Sequence, residues 1–118
     1  MDSQSPSGVD LELFNEMREI MDDEFSELLQ AFIDDTPVLL ASIHESIRAE
    51  PVDLIATTNA AHQIKSTSAS LGFLQLAQLA DNLEQSGDTK ASGNLAELYQ
   101  QADESFYQLR PFLQQHLS

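Results

Sequence analysis

The chain has 118 residues, which is enough for one domain and too few for two of ordinary size. Apolar residues make up 42% and charged residues 21%, and no apolar run approaches the ~18 residues that span a membrane, so a soluble globular domain is expected. Twenty acidic residues against five basic ones give a formal charge of −15, which argues against nucleic acid or an anionic membrane as a partner.

Residues 1–8 are rich in Ser, Pro and Gly, and they predict a disordered tail ahead of a single folded domain at residues 9–118. The first residues lack the basic flank and the apolar stretch of a secretory signal, and the chain contains no cysteine. A reducing cytoplasm is therefore the expected setting.

Apolar residues at spacings of three and four predict two helices in the first half of the domain. The first is short and begins at Asp10. Asp22 can cap the second, which is long, and the apolar stripe resumes in register beyond Pro37. Pro37 is therefore expected to bend the second helix rather than end it.

Three further helices are predicted in the second half. Pro51 suits the first turn of the third helix and Gly72 suits its end. A fourth helix continues to Gly87, residues 86–93 form a loop, and a long last helix bends near Pro111. Since no strand pattern is present, the sequence predicts an all-α fold: an antiparallel four-helix bundle with the short N-terminal helix laid across one end as a cap.

The third helix has one face that suits the core and one that suits solvent. The core face holds Leu54, Thr57, Ala61, Ile64, Ser68 and Leu71. The opposite face holds Thr58, Asn59, His62, Lys65, Ser66 and Ala69. Between residues 54 and 80 the one formally charged residue is Lys65, so part of this segment is expected to face the core or another protein.

An exposed His62 has a chemical interpretation. A neutral imidazole, with an ordinary pKa of about 6.5, is a nucleophile near neutral pH and can attack phosphorus. Lys65, one turn away, could screen the transferred phosphoryl group, while the small Ser66 and Ala69 would leave room for another protein's active site. From the spacing alone, a solvated histidine without a functional role is at least as good an interpretation.

The segment from His62 to Phe73, HQIKSTSASLGF, resembles the signature of histidine-containing phosphotransfer (HPt) domains. The positions in place are His62, Ile64, Lys65, Ser68, Leu71 and Gly72. The resemblance extends to the helix plan over residues 10–117 and to the FIDDTP stretch of the second helix. Ser66 stands where the family usually has glycine; its hydroxyl could bond the phosphoryl group or hinder a partner.

This resemblance implies a four-helix bundle that takes a phosphoryl group from a receiver-domain aspartate onto the distal nitrogen of His62 and passes it to another receiver. The expected partners are receiver domains and a hybrid sensor kinase. It implies a carrier without catalytic activity of its own and without an intrinsic cofactor, since the receiver's acidic pocket would supply magnesium. A monomer is expected, because the working face must admit a partner.

The resemblance also implies that a Gln or Glu on the fourth helix holds the other ring nitrogen, and by offset this residue is Glu84. A carboxylate there would fix the tautomer and improve the distal nitrogen as a nucleophile. An ordinary solvent-facing carboxylate is the alternative in so acidic a chain.

The first helix carries more apolar residues than a short cap needs to bury: Phe14, Met17, Ile20 and Met21. They either pack on the bundle, or Phe14 and Met17 join Thr58, Asn59, Ser66 and Ala69 in a receiver-docking surface. The other two histidines, His44 and His116, are predicted to be solvated, and no metal site is expected.

Two other functions remain open from the sequence. The chain could be the phosphoacceptor domain of a chemotaxis-type kinase, in which case it would be a fragment. It could also be a phosphate-independent adaptor that binds a partner through the third helix.

Overall fold

The computed structural model describes residues 8–89 and 94–117, and it confirms the all-α fold. Its helices are α1 (Leu11–Met21), α2 (Phe25–Arg48), α3 (Leu54–Leu71), α4 (Leu74–Thr89) and α5 (Leu95–Gln115). Helices α2 to α5 form a four-helix bundle in which each helix packs against its two neighbours in the ring. Within the described residues there is no β-strand and no helix long and apolar enough to cross a membrane.

The short first helix caps one end of the bundle, as predicted. The Asp10 carboxylate accepts a hydrogen bond from the Leu13 N–H at 3.1 Å and so begins α1. Phe14 is fully buried, with its ring against Phe25, Phe73 and, from α5, Phe112. These aromatic contacts hold α1 to α2, α5 and the α3–α4 turn.

The predicted capping of the second helix by Asp22 is wrong. The Asp22 backbone has φ 50° and its N–H bonds to the Arg18 carbonyl, so Asp22 ends α1. A single 3₁₀ turn, Asp22–Glu24, then redirects the chain before α2 begins at Phe25. As predicted, Pro37 lies within α2 and does not end it, and Pro111 likewise lies within α5.

The predicted start of α3 at Pro51 is also wrong. Pro51 follows a cis peptide bond in the α2–α3 connection, and the helix begins at Leu54. Asp53 supplies the cap, because its carboxylate accepts a hydrogen bond from the Ala56 N–H at 3.0 Å.

Gly72 ends α3, as predicted. Its φ of 87° is left-handed, and a Cβ there would lie 2.7 Å from the Asp10 carbonyl oxygen. The Asp10 N–H donates to the Gly72 carbonyl at 2.7 Å, so the start of α1 is fixed on this turn. The α3–α4 connection is consequently very short.

The other boundary differs from the prediction. Helix α4 continues past Gly87 to Thr89, so the expected loop at residues 86–93 begins later. Residues 90–93 of that loop lie outside the described residues, as does the predicted tail except for Gly8.

Candidate functional site

The tight turn between α3 and α4 sets which residues of the two helices face each other. His62 and Glu84 are each eleven residues from Phe73, and Lys65 and Asp81 are each eight residues from it. Because α3 and α4 run antiparallel from this turn at the same rise per residue, equal offsets place each pair at the same height. One face of the α3–α4 pair thus carries all four side chains.

His62 presents an imidazole that is held on one nitrogen and exposed on the other side. Its side chain is 60% exposed, and Nδ1 lies 2.9 Å from Glu84 Oε2. An ionised carboxylate can only accept, so Nδ1 carries a hydrogen, and in the neutral ring Nε2 then carries the lone pair. Nε2 makes no hydrogen bond with any residue that the structure describes. This is the tautomer in which the distal nitrogen is nucleophilic.

Lys65 stabilises the ionised form of Glu84. The second carboxylate oxygen, Oε1, lies 2.7 Å from Lys65 Nζ, and the Glu84 side chain is only 17% exposed. The contact with Lys65 lowers the pKa of Glu84, and the bond to His62 lowers it further, against the opposing effect of burial. Glu84 therefore orients the ring as a charged group.

Lys65 is shared between two carboxylates. Besides Glu84, its ammonium lies 3.3 Å from Asp81 Oδ1. The Glu84 contact is the main cause that raises the pKa of Lys65, so the ammonium stays charged at physiological pH. The other carboxylate oxygen of Asp81 accepts a hydrogen bond from the Gln85 amide at 2.9 Å.

The structure brings together the three residues predicted to act at the site. Glu84 contacts His62 Nδ1 as the sequence resemblance implied, and Lys65 lies one turn from His62 but in contact with carboxylates. Asp81 was missed. The signal that could have found it is its position one turn before Glu84 and opposite Lys65.

The predicted partner-binding residues fall into two groups. Asn59, Ser66 and Ala69 are exposed on the His62 side of α3, and Thr58 is half-buried there. The inclusion of Phe14 is wrong, since its ring is fully buried in the aromatic cluster. In α1, Met17 is half-buried against the core, Met21 likewise, and the exposed apolar residue is Ile20.

The other two histidines are not simply solvated, which corrects the prediction. His44 is half-buried with its ring 5.0 Å from that of Tyr99 on α5. His116 packs against Phe14 and Phe112, and its Nδ1 lies 3.3 Å from an Arg18 nitrogen. Burial and Arg18 lower the pKa of His116. Both rings pack against aromatic side chains, and the residues next to them in the sequence did not indicate this.

A groove runs between α2 and α3 beside the His62 face. Its volume is about 270 Å³, and Gln63 and Thr67 form part of its α3 wall. The α2 wall consists mainly of apolar side chains: Leu28, Ala31, Phe32, Val38 and Leu39. Val38 is 67% exposed, which is unusual for a branched aliphatic side chain. Sequence periodicity did not single out this groove.

Comparisons with known proteins bear on the family and the fold of the chain. A family model described as the Hpt domain matches residues 27–116. Histidine-containing phosphotransfer protein B (HptB) of Pseudomonas aeruginosa PAO1 superposes with a TM-score of 0.89 at 27% identity, covering 96% of each chain. The maize histidine-containing phosphotransfer protein ZmHP2 superposes with a TM-score of 0.82 at 21% identity, covering 98% of this chain and 92% of the maize chain. A comparison with curated proteins gave no match.

The chain belongs to the Hpt domain family, since the family match covers most of its length. The fold predicted from the sequence is the fold of both solved structures.

Proposed function

We propose that this protein carries a phosphoryl group on Nε2 of His62. Family membership makes the chain a histidine phosphotransfer protein of a phosphorelay, and it favours neither the adaptor nor the kinase-domain alternative. The observation that carries the assignment to His62 is the 2.9 Å contact between Nδ1 and Glu84, which leaves Nε2 as the free nucleophile of an exposed ring.

The transfer step follows from this tautomer. The Nε2 lone pair attacks the phosphorus of an aspartyl phosphate on a receiver domain; the N–P bond forms, the P–O bond breaks, and its electron pair leaves with the aspartate carboxylate. Nδ1 keeps its hydrogen, so the ring becomes positively charged. Glu84 Oε2, already at hydrogen-bond distance, balances that charge. Passing the group to another receiver is the reverse step.

Lys65 has two roles in this proposal. It fixes Glu84 through the 2.7 Å ion pair, and it places a positive charge one helical turn from the phosphorylated ring. Lys65 is the one cation among the described residues of α3 and α4. Its charge consequently screens the phosphoryl oxygens as they approach.

The receiver would cover His62 from the α3 side. Asn59, Ser66 and Ala69 are small or compact and would let the receiver's active site close over the ring. The apolar groove between α2 and α3 offers the adjoining contact area. Helices are the elements that lay an apolar face into such a groove, so the contacting element of the receiver would be a helix.

The partner contributes the remaining chemistry. No group of three or more His, Asp or Glu side chains that could hold a metal occurs within residues 8–89 and 94–117. We propose that magnesium comes with the receiver's acidic pocket and that the carrier does not catalyse a reaction alone. Receivers and a hybrid sensor kinase are the proposed partners. A monomeric state and a cytoplasmic setting stay predictions.

The experiment is transfer of labelled phosphate from phosphorylated receivers to the wild type and to His62→Gln, with His44→Gln as the matched control. We expect label on the wild type and on His44→Gln, lost in acid and kept in base, and none on His62→Gln. Equal label on His62→Gln would place the acceptor elsewhere. No transfer from any receiver, with binding intact in all three proteins, would support the adaptor.

A further inference from the structure

Asp81 is the one member of the polar cluster for which transfer chemistry gives no evident use. The cluster holds one cation and two anions, and the phosphoryl group would add further negative charge. Lys65 contacts Glu84 at 2.7 Å and Asp81 at 3.3 Å before any phosphoryl group arrives. These two carboxylates thus compete with the phosphoryl group for the positive charge of Lys65.

Two contacts hold the Asp81 side chain next to Lys65. Oδ1 contacts Lys65, Oδ2 accepts from the Gln85 amide at 2.9 Å, and the side chain is only 29% exposed. Gln85 lies one turn further along α4, so both oxygens are fixed by residues of the same face. A charge fixed in a half-buried position acts on its neighbours more strongly than a freely solvated one.

From these contacts we infer that Asp81 weakens the hold on the phosphoryl group and so keeps His62 able to pass it on. Asp81 is a positioning residue that acts through Lys65: it competes with the phosphoryl group for the ammonium and adds a further negative charge to the cluster. A carrier that retained the group too firmly would accept it from one receiver and fail to deliver it to the next. This inference rests on the proposed function of His62.

The matched variants are Asp81→Asn and Asp34→Asn. Asp34 is also an aspartate that accepts a hydrogen bond from a glutamine four residues away, at 3.0 Å from Gln30, but it lies on α2 without a cationic partner among the described residues. Asp34→Asn thus reproduces the loss of one carboxylate charge beside a glutamine amide. Asp81→Glu restores the carboxylate and serves as the rescue variant.

Each protein is loaded chemically with phosphoramidate, mixed with an unphosphorylated receiver, and the fraction of phosphoryl group left on His62 at equilibrium is measured. For Asp81→Asn we expect the equilibrium to move toward phosphorylated His62 by about threefold or more, which is the scale of one nearby charge in a partly solvated site. Asp34→Asn and Asp81→Glu are expected to stay close to the wild type. The difference is expected to shrink in 1 M salt, where the screening length is ~3 Å.

An equilibrium unchanged by Asp81→Asn, or moved toward the receiver, overturns the inference while leaving His62 as the acceptor. A shift of equal size in Asp81→Glu also overturns it, since the cause would then be structural rather than the loss of the carboxylate charge. A wild type that accepts phosphoramidate but exchanges with no receiver contradicts the proposed function itself.

Discussion

At the scale of single residues, the site depends on a chain of three contacts rather than on the histidine alone. Asp81 and Glu84 hold Lys65, Lys65 keeps Glu84 charged, and Glu84 fixes the tautomer of His62. Each group in this chain is partly exposed, so its charge is screened but not lost. The nucleophile is therefore set by its neighbours, and substitutions of those neighbours should act on transfer without touching Nε2.

Replacing Glu84 with glutamine tests the charge on that residue. An amide oxygen can still accept from Nδ1–H, but it cannot balance a positive ring. We expect the rate at which a receiver phosphorylates His62 to fall about tenfold, while the helical circular dichroism signal stays unchanged. Glu104→Gln, on the exposed side of α5, is the control. Equal rates for the two variants would show that Glu84 has no electrostatic part in transfer.

Ser68 offers a test of the core beneath the site. Its hydroxyl is buried and has no hydrogen-bond partner among the described residues. Ser68→Ala should therefore leave the free energy of unfolding unchanged or raise it by up to about 1 kcal/mol. Ser46→Ala, which removes a buried hydroxyl that donates to the Ile43 carbonyl, should instead cost about 1 kcal/mol. Denaturant unfolding measures the free energy of unfolding of both variants. A loss of stability in Ser68→Ala as large as in Ser46→Ala would show that the Ser68 hydroxyl has a partner.

At the scale of elements, the register between α3 and α4 is the feature that assembles the site. It follows from the position of the turn, since equal offsets from Phe73 pair His62 with Glu84 and Lys65 with Asp81. Gly72 and the start of α1 fix the position of this turn. The short N-terminal helix α1 thus supports the geometry of the proposed site through its contact with Gly72.

Gly72→Ala tests the turn. A left-handed φ and a Cβ placed 2.7 Å from the Asp10 carbonyl oxygen both oppose the substitution. We expect a loss of more than about 1 kcal/mol in the free energy of unfolding, measured with denaturant. Ser70→Ala, an exposed change two residues earlier, should stay within about 0.5 kcal/mol. A Gly72→Ala variant as stable as Ser70→Ala would show that the turn relaxes freely.

Much of this arrangement could be predicted from the sequence because helices have a strong period. The two faces of α3, the end of α3 at Gly72 and the offset of Glu84 all follow from spacing or from the family signature. Helix boundaries that depend on the backbone conformation of one residue were not predictable in the same way. Asp22 takes φ 50°, and Asp53 rather than Pro51 caps the start of α3. Periodicity reports which residues share a face, and it is silent about one residue's dihedral angles.

The site was less predictable than the fold for a related reason. Contacts between helices depend on which neighbour each face meets, and the sequence alone does not specify the order of helices around the bundle. Asp81 and the α2–α3 groove were missed on this account, and Phe14 was assigned to the surface although it lies at the centre of an aromatic cluster. The family signature indicated His62, Lys65 and Glu84, and it gave no information about the other residues of the site.

At the scale of the whole molecule, large apolar side chains are exposed at several places: Ile20, Val38, Ile55, Leu74 and Tyr107. Val38 lies at the groove beside the His62 face, while Ile20 lies on α1; their exposed fractions, 67% and 72%, are nearly equal. Of these residues Val38 is the one that lines the α2–α3 groove, so we expect docking to use apolar contact there, beside His62.

Val38→Asp and Ile20→Asp separate the two surfaces. We expect Val38→Asp to raise the receiver concentration needed for half-maximal transfer by about tenfold, because an apolar contact is replaced by a charge. Ile20→Asp should transfer at the wild-type rate. Both side chains are exposed, so the fold should persist, which circular dichroism checks. The reverse result would move the docking surface to α1.

The most direct test of the central claim identifies the nitrogen that bears the phosphoryl group. Protein labelled with ¹⁵N is phosphorylated by a receiver, and the ¹⁵N–³¹P coupling of His62 is measured by NMR. We expect phosphorus bonded to Nε2, with the hydrogen still on Nδ1 facing Glu84. Phosphorus on Nδ1, or on any residue other than His62, would contradict it.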